Sequence, residues 1–306
     1  MTPLLSFIVT YHNESLDLLL ACLESIKSLP LGGGEAEVVV VDDGRSLSPS
    51  AFTGARLVGQ EQAGLSAARN TGISASCGRY IQFVDADDCI IPEAYQSVLE
   101  QVRKEQADIV MFRAKATAKP PCRPKASSCP SPAAEGTPPE EGREGLAEDY
   151  LLHHNLRAAA WGYAFRREIL GNLRFFPGLL HEDELFTPQL LLKAKTLVEL
   201  SVEAYFYRQH AGTITHTSSA AMTQKRLDDI HFVIRELHSL GNPVLGRRIG
   251  QLTVDYLQKA WTLTHSLREL RSRAKALRTE GFLPLPLRTY SARYFFACLL
   301  TRTLAL

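Results

Sequence analysis

Short apolar runs alternate with amphipathic stretches over the first 115 residues, and few folds accommodate such an alternation. The apolar runs that predict strands are residues 4–11, 37–42, 56–58, 80–84 and 108–113. The stretches that predict helices are residues 15–29, 66–76 (with Ser66 as N-cap) and 92–105. The second apolar run, EVVVVD, is typical of a strand that is covered on both faces. The pattern predicts an α/β fold, with a mostly parallel, Rossmann-like sheet flanked by helices.

The rest of the chain divides by composition. Seven prolines fall within residues 116–149, which predicts a flexible linker or loop. Order resumes at 150–216 with a short helix, a strand at 161–165, a helix opening near His181, and two short strands near Leu197 and Tyr205. Residues 217–306 are predicted to be a helical extension, with helices at 218–240, 244–265, 266–279 and 286–303. We therefore expect four segments, at 1–115, 116–149, 150–216 and 217–306.

Composition excludes several classes of protein. The chain of 306 residues is 45% hydrophobic and 22% charged, which is typical of a globular protein and not of a disordered one. A net charge of +1 gives no argument for binding nucleic acid. The six cysteines contain no Cys-x-x-Cys pair, which argues against a disulfide scaffold and a cysteine zinc site. With no signal-peptide pattern and no run of about 20 apolar residues, we expect a cytoplasmic protein.

The C-terminal region is basic and leaves two interpretations open. Residues 241–306 contain eleven Lys or Arg and only three acidic residues. Within them, residues 286–306 mix aromatic and leucine side chains with Arg293 and Arg302. Such a segment is typical of a helix that lies on an anionic membrane, here at the inner face of the plasma membrane. It is also typical of a core-packed helix with a solvated basic face, which is the more common case.

Polar or acidic residues end three of the predicted strands, and the first of these strands ends at Tyr11, followed by His12 and Asn13. Asp42 and Asp43 end the second strand, and an Asp-x-Asp-Asp cluster (residues 85–88) ends the fourth. The carboxyl ends of parallel strands meet at one edge, so these side chains should line one crevice. Asp-x-Asp suits a hard divalent cation such as Mg²⁺ or Mn²⁺. Taken alone, it is also a common acidic turn ahead of a helix.

A glycine and an arginine mark the helix that precedes the fourth strand. Gly64 opens this helix and Arg69 lies one turn inside it. A helix N-terminus with a nearby cation suits an anionic ligand, although an ordinary capped helix has the same pattern.

These motifs, in this order, resemble the family 2 glycosyltransferases of the GT-A fold. The matching segments are SFIVTYHNE, VVVVDDG, GLSAARNTGI, YIQFVDADD, HEDELFTPQLLLKAK and AYFYRQHAGTITH. The last two resemble later segments of bacterial surface-polysaccharide enzymes. The resemblance covers about residues 1–115 and 150–216, and it departs from many relatives at Trp161-Gly162-Tyr163, where they carry Trp-Asn-Lys.

The resemblance implies a role for each matching residue on the donor side. Tyr11 and Asp43 would contact the nucleobase, and Asp85 the ribose or the sugar. Asp87 would ligate Mn²⁺ or Mg²⁺, which bridges to the diphosphate. The residues implied to hold the rest of the nucleotide are Arg69, Arg208 and His210, the last two on a loop that closes over the diphosphate.

On the acceptor side, Asp183 resembles the catalytic base, and its neighbour Glu182 is the second candidate. Together these roles imply an inverting, metal-dependent transfer from a nucleotide sugar, most simply a UDP-sugar, to a hydroxyl of a glycan or lipid-linked glycan in cell-surface polysaccharide synthesis. A carboxylate within reach of the acceptor hydroxyl can take its proton, and no covalent glycosyl-enzyme is then needed.

Two other functions compete with transfer. A nucleotidyltransferase should carry a glycine-rich phosphate loop directly after the first strand, whereas this chain reads Tyr11-His12-Asn13-Glu14 there. A catalytically inactive, membrane-docked partner protein that binds nucleotide with the same fold would carry the same donor motifs. Only an assay of donor hydrolysis or transfer distinguishes this partner from an enzyme.

Overall fold

The computed structural model describes residues 2–48, 53–117, 143–209, 219–288 and 290–304. The chain forms two compact units. The first contains Met1–Glu148 and Arg157–Thr213, and the second contains Asp149–Leu156 and Ile214–Leu306. The predicted segment 1–115 and most of segment 150–216 therefore belong to the same unit.

The first unit contains a sheet of nine strands, counted over the described residues. These strands are β1 (Leu5–Tyr11), β2 (Ala36–Asp43), β3 (Arg56–Gln60), β4 (Tyr80–Asp85), β5 (Cys89–Ile90), β6 (Ile109–Thr117), β7 (Arg143–Leu146), β8 (Tyr163–Arg166) and β9 (Thr196–Arg208). Their order is β3-β2-β1-β4-β8-β6-β9-β5, and β7 pairs with β9. The helices of this unit are α1 (Leu16–Lys27), α2 (Leu65–Ala75), α3 (Pro92–Lys104) and α5 (Asp183–Lys193). Helix α4 (Ala147–His153) contains the boundary to the second unit.

The α/β fold is confirmed, but the sheet is mixed where a mostly parallel one was predicted. Strands β3, β2, β1 and β4 are parallel to one another. Strand β8 is antiparallel to both β4 and β6, while β6 and β9 pair in parallel. Antiparallel neighbours need no crossover helix, so the strand–helix spacing of residues 1–115 carries no information about β8.

The parallel part of the sheet places the predicted acidic residues at one edge. In the strand register, Tyr11 lies opposite Asp42, Thr10 opposite Asp85, and Asp43 opposite Gln60. Every residue of β1 is buried, as expected for a strand with helices on both faces. The carboxyl ends of the four strands are therefore level with one another at one edge of the sheet, and a crevice along this edge remains a prediction.

Helix α2 begins differently from the prediction. Its N-cap is Gly64, with a φ of +87°, and the helix starts at Leu65, so the prediction of Ser66 as the cap is wrong. Only glycine adopts this backbone conformation without strain. Further along, a Cβ at Gly72 would lie 2.2 Å from Cγ2 of Ile8, so glycine allows α2 to pack directly on β1. The two glycines thus set where α2 starts and how closely it approaches the sheet.

Two other predictions for this unit need correction. The two short strands expected near Leu197 and Tyr205 are one strand, β9. Ser201 and Glu203 are exposed in the middle of this strand. In the sequence, these polar residues interrupt the apolar pattern and suggest that one strand ends and another begins. The predicted linker is shorter than 116–149, because β6 extends to Thr117 and β7 begins at Arg143. Residues 118–142 lie outside the described part of the chain.

The second unit is helical, as predicted. Its helices are α6 (Ala220–Ser239), α7 (Gly246–Thr264), α8 (Leu267–Thr279) and α9 (Ala292–Leu304). Leucine and isoleucine side chains such as Leu227, Ile234 and Leu252 form its buried interior. Within the described residues, no helix is long and apolar enough to cross a membrane.

Candidate active site

The carboxylate of Asp43 organises the turn between β3 and α2. Its Oδ1 accepts hydrogen bonds from Gln60 Nε2 (2.8 Å) and from the backbone N–H of Ala63 (2.7 Å), and its Oδ2 accepts one from the N–H of Gly64 (2.8 Å). A carboxylate has about four acceptor sites, so one is still available to a ligand. Contact of Asp43 with a nucleobase remains a prediction.

The residues after β1 are fixed by local hydrogen bonds. His12 Nδ1 lies 2.6 Å from the carbonyl oxygen of Asp43, so Nδ1 must carry the proton. The Tyr11 hydroxyl donates to the carbonyl of Glu14 at 2.9 Å, and the side chain is only 7% exposed. Stacking of Tyr11 on a base remains a prediction, and little of its ring is open to a ligand.

Arg69 is the centre of a buried ion-pair cluster. From α2, its guanidinium donates to the carboxylate of Glu182 and, at 3.1 Å, to that of Asp85. It also faces the rings of Phe83 and Phe175, with 5.8 and 5.3 Å between Cζ and the ring centroids. Although burial lowers it, the pKa of Arg69 is raised by the carboxylates of Glu182, Asp85 and Asp183. One cation therefore links the end of β4 to the start of α5.

Arg69 was predicted to contact the nucleotide, but its guanidinium is turned toward carboxylates of the protein. Its side chain is buried and donates to protein carboxylates, whereas a nucleotide contact needs donors that reach the ligand. The structure assigns it the task of holding Asp85 and Glu182 in place. A direct contact between Arg69 and a nucleotide remains a prediction.

Replacing Arg69 with Met should strongly destabilise the protein. The change leaves the buried carboxylate of Glu182 and the partly buried carboxylate of Asp85 without their cation, and we expect a loss of about 3–5 kcal/mol in the free energy of unfolding. Urea denaturation followed by circular dichroism measures it. Arg79→Met is the matched control, since it breaks an exposed pair with Glu105 and should cost less than about 1 kcal/mol. If Arg69→Met and Arg79→Met lost equal amounts of unfolding free energy, Arg69 could not be the cation that stabilises Glu182 and Asp85.

The end of β4 is tied to the end of β9 through Asp88 and Arg208. The Oδ1 of Asp88 accepts the backbone N–H of Arg208 at 2.7 Å, and Arg208 Nε donates to the carbonyl of Asp87 at 2.8 Å. Desolvation raises the pKa of Asp88 well above its ordinary value, and the charges of Asp87 and Asp85 raise it further. Arg208 is thus a buried residue that ends β9. Its predicted partner His210 lies outside the described residues.

Glu14 extends the acidic group that Asp85, Asp87 and Asp88 form at the end of β4. It was not among the residues predicted for the site. Burial raises the pKa of Glu14, and the charges of Asp87 and Asp85 raise it further, so the three carboxylates lie within electrostatic range. Its position in the sequence could have indicated this, because Glu14 comes three residues after the first strand and so lies at the same edge of the sheet as Asp85 and Asp87.

The donor set is suited to a cation that also binds phosphate. In the described part of the chain, no three His, Cys, Asp or Glu side chains come together as a complete metal site. Mg²⁺ commonly takes only one or two protein carboxylates and completes its shell with water and substrate phosphates. Asp85 has its pKa raised first by desolvation, with Arg69 opposing and the charge of Asp87 adding to the rise. Mutually repelling carboxylates of this kind fit a divalent cation that arrives with a diphosphate.

Asp183 is the first residue of α5. Desolvation raises the pKa of its carboxyl well above the ordinary value, Glu182 and Glu184 raise it further, and Arg69 opposes them. Its neighbour Glu182 is buried and engaged by Arg69. Of the two predicted candidates for the base, Glu182 is therefore held in an ion pair, and Asp183 lies next to it at the start of the helix.

An aromatic stack borders the same strand ends. The rings of Trp161 and Tyr205 are parallel with centroids 4.5 Å apart, and Tyr207 continues the stack at 5.7 Å from Trp161. The Tyr205 hydroxyl accepts the backbone N–H of Asp85 at 3.1 Å. The stack therefore fixes β9 beside the end of β4, where the acidic group begins.

A family model described as glycosyl transferase family 2 matches residues 6–170, more than half of the chain. The chain belongs to this family. The matched region contains β1 to β4, the acidic group and Arg69, while Glu182 and Asp183 lie just beyond it. The resemblance drawn from the sequence motifs is confirmed, and the chain has the GT-A fold.

Known relatives agree with this assignment. The uncharacterized glycosyltransferase EpsJ of Bacillus subtilis is 28% identical over 231 residues, which are 70% of this chain and 64% of EpsJ. The chain therefore spans less than two thirds of that relative's length. The structure of Staphylococcus aureus TarS (residues 1–349) with UDP-GlcNAc is similar with a TM-score of 0.64 and 19% identity, covering 93% of this chain and 82% of TarS. The mannosyltransferase PcManGT of Pyrobaculum calidifontis, with GDP-Man and Mn²⁺, has a TM-score of 0.55 and 16% identity, covering 99% and 85%.

Proposed function

We propose that this glycosyltransferase moves a sugar from a UDP-sugar to a hydroxyl of a glycan or lipid-linked glycan in cell-surface polysaccharide synthesis, with inversion and with a divalent metal. The observation that carries the proposal is the shared cation Arg69. It binds Asp85, two residues from the proposed metal ligand Asp87, and Glu182, next to the proposed base Asp183. The contacts of Arg69 would thereby keep the donor and acceptor groups in one cluster, which supports a single site for the transfer.

The donor end of this site would be the edge formed by β1, β2 and β4. Asp43 retains an acceptor site for a base N–H, and the N-terminus of α2, which starts after Gly64, favours negative charge. The structure of TarS contains UDP-GlcNAc on a similar fold, which supports a UDP-sugar. PcManGT contains GDP-Man, so the base is a point that the experiment below has to decide.

Asp87 would hold Mn²⁺ or Mg²⁺ at the diphosphate, and Asp85 would contact the ribose or the sugar. When bound, such an ion neutralises the charge that develops on the leaving group. The Mn²⁺ in PcManGT supports a metal in this fold. Arg208 donates a hydrogen bond to the backbone carbonyl of Asp87. This bond would hold Asp87 in the orientation in which its carboxylate meets the donor.

Asp183 would accept the proton of the acceptor hydroxyl. The pKa of its carboxyl is raised by desolvation, which makes the carboxylate a better base than an exposed aspartate. Attack by the activated hydroxyl on the face opposite the leaving diphosphate inverts the anomeric carbon. Arg69 positions Asp183 indirectly, through Glu182.

A donor screen tests this function without knowledge of the acceptor. We expect slow hydrolysis of one or more UDP-sugars in the presence of Mn²⁺, none in EDTA, and weaker activity on GDP-sugars. Calorimetry with UDP and Mn²⁺ is run in parallel. Tight UDP binding with no hydrolysis of any donor, and no transfer to added glycans, would identify the inactive nucleotide-binding partner instead.

A further inference from the structure

The second unit contains an apolar groove between α7, α8 and α9. Its volume is about 970 Å³, near the upper end of the roughly 300–1,000 Å³ that ligand sites usually enclose. Several large apolar side chains on it are exposed, including Phe296 (67%), Leu300 (55%) and Trp261 (40%). Exposed apolar side chains grouped in this way mark a binding surface.

One end of the groove is polar. Val254 and Arg293 line both the groove and a second cavity of about 250 Å³, which is also lined by Tyr290 and Tyr294. Tyr294 is buried, and within the described residues neither tyrosine hydroxyl makes a hydrogen bond of ordinary geometry, although Gln251 lies near the Tyr290 hydroxyl and Cys298 near that of Tyr294. Buried hydroxyls without a partner are costly unless a ligand or water satisfies them.

The C-terminal part of the chain that forms the groove is rich in positive charge. Residues 241–306 contain eleven Lys or Arg against three acidic residues. The hydrogen bonds of Arg293 to Asp255 and Gln258 use only Nη2, which leaves Nε and Nη1 as donors. Arg268 and Arg271 flank the groove residue Leu270 in the sequence and are exposed. A second copy of this chain would bring an equally basic surface, so the charge favours an anionic occupant.

We propose that this groove binds an anionic lipid, with its chains along Phe296 and Leu300 and its phosphate at Arg293 and the Tyr294 hydroxyl. An apolar channel that ends in a cation and unsatisfied hydroxyls matches a molecule with a long apolar part and an anionic head. The proposal does not depend on sugar transfer, since lipid binding is measured without donor or acceptor. Of the two interpretations of the basic C-terminal region, the proposal adopts membrane contact.

Tryptophan fluorescence gives a direct test, because Trp261 lines the groove and the chain has only one other tryptophan, the buried Trp161. The full chain is titrated with vesicles of brominated phosphatidylglycerol, with brominated phosphatidylcholine, and with inorganic phosphate. We expect quenching by phosphatidylglycerol at a lipid concentration at least about tenfold lower than by phosphatidylcholine, and none by phosphate alone. Trp261→Phe should abolish the quenching.

Variants of exposed residues separate the groove from general adsorption. The double variant Phe296→Ser, Leu300→Ser should weaken vesicle co-sedimentation about tenfold or more, and Arg293→Gln should remove the preference for phosphatidylglycerol. The matched controls are Leu240→Ser, an exposed leucine outside the groove, and Arg235→Gln, an exposed arginine paired with Glu280. Equal binding by all variants, or no binding by the unaltered chain, would overturn the proposal. The proposal would also be overturned if the unaltered chain formed a dimer that the double variant dissociates, because the groove would then bind a second copy of the chain.

Discussion

Asp183→Asn should reduce sugar transfer by about 10²- to 10⁴-fold while leaving the affinity for the donor nearly unchanged. Asparagine keeps the size and the hydrogen-bonding oxygen of the side chain, but it cannot accept a proton from the acceptor hydroxyl. The ion pairs of Arg69 with Glu182 and Asp85 do not involve this side chain, so the fold should persist. Initial rates with a transfer assay and UDP affinity by calorimetry measure the two effects.

Glu184→Gln is the matched control for this variant. Glu184 is also an acidic residue in the first turn of α5, so both variants remove one negative charge from the same helix N-terminus. If Asp183 only stabilised the helix dipole, each change would cost about 0.3–1 kcal/mol of stability and neither would change the rate much. A rate for Asp183→Asn within tenfold of the unaltered enzyme would rule out the base.

The pH dependence of the rate gives a second readout of the same role. A base works only when it is deprotonated, and desolvation raises the pKa of Asp183 well above the usual aspartate range. The rate should therefore fall as pH is lowered, and the fall should begin at a higher pH than an exposed carboxylate would give. In the Asp183→Asn variant, the small residual rate should not fall in this way as pH is lowered.

The parallel part of the site was predictable because it follows from local patterns. Apolar runs that end in Asp43 and in Asp85 place both residues at the carboxyl edge of a parallel sheet. The register then aligns the strand ends, with Thr10 opposite Asp85 and Tyr11 opposite Asp42. Periodicity and strand order were enough to bring these residues together.

The ion-pair cluster was not predictable from such patterns. Arg69 and Glu182 are 113 residues apart, and nothing local to either residue indicates the other. Their meeting depends on β8, a four-residue antiparallel strand that inserts beside β4. The motif around Arg69 suggested an anionic ligand, and the anions that it binds in the structure are carboxylates of the protein itself.

Glu14 and Arg208 show a related limit. Glu14 follows a strand within an irregular turn, so its approach to Asp87 depends on backbone geometry that periodicity does not describe. The family resemblance implied that Arg208 lies on a loop that closes over the diphosphate. As the last residue of a continuous strand, it is held by Asp88 and by the Asp87 carbonyl.

Asp87→Asn should reduce metal-supported transfer by about 10²-fold or more at a limiting Mn²⁺ concentration, and it should raise the Mn²⁺ concentration for half-maximal rate. The amide is a neutral and weaker ligand for a hard cation, so part of the charge stabilisation of the leaving diphosphate is lost. Glu14 and Asp85 still repel each other in this variant, which preserves some attraction for the ion. A titration of the rate with Mn²⁺ at saturating donor separates weaker metal affinity from a lower limiting rate.

Asp88→Asn is the control, since asparagine retains the Oδ1 acceptor for the N–H of Arg208 and changes only a carboxyl whose raised pKa already disfavours its charge. We expect its Mn²⁺ dependence to match that of the unaltered enzyme, provided that circular dichroism shows an intact fold. If Asp87→Asn retained full activity in EDTA, Asp87 could not be the metal ligand. If both variants lost activity while the Mn²⁺ concentration for half-maximal rate stayed the same, the acidic group would serve to hold the ends of β4 and β9 together, and charge neutralisation would have to come from cationic side chains.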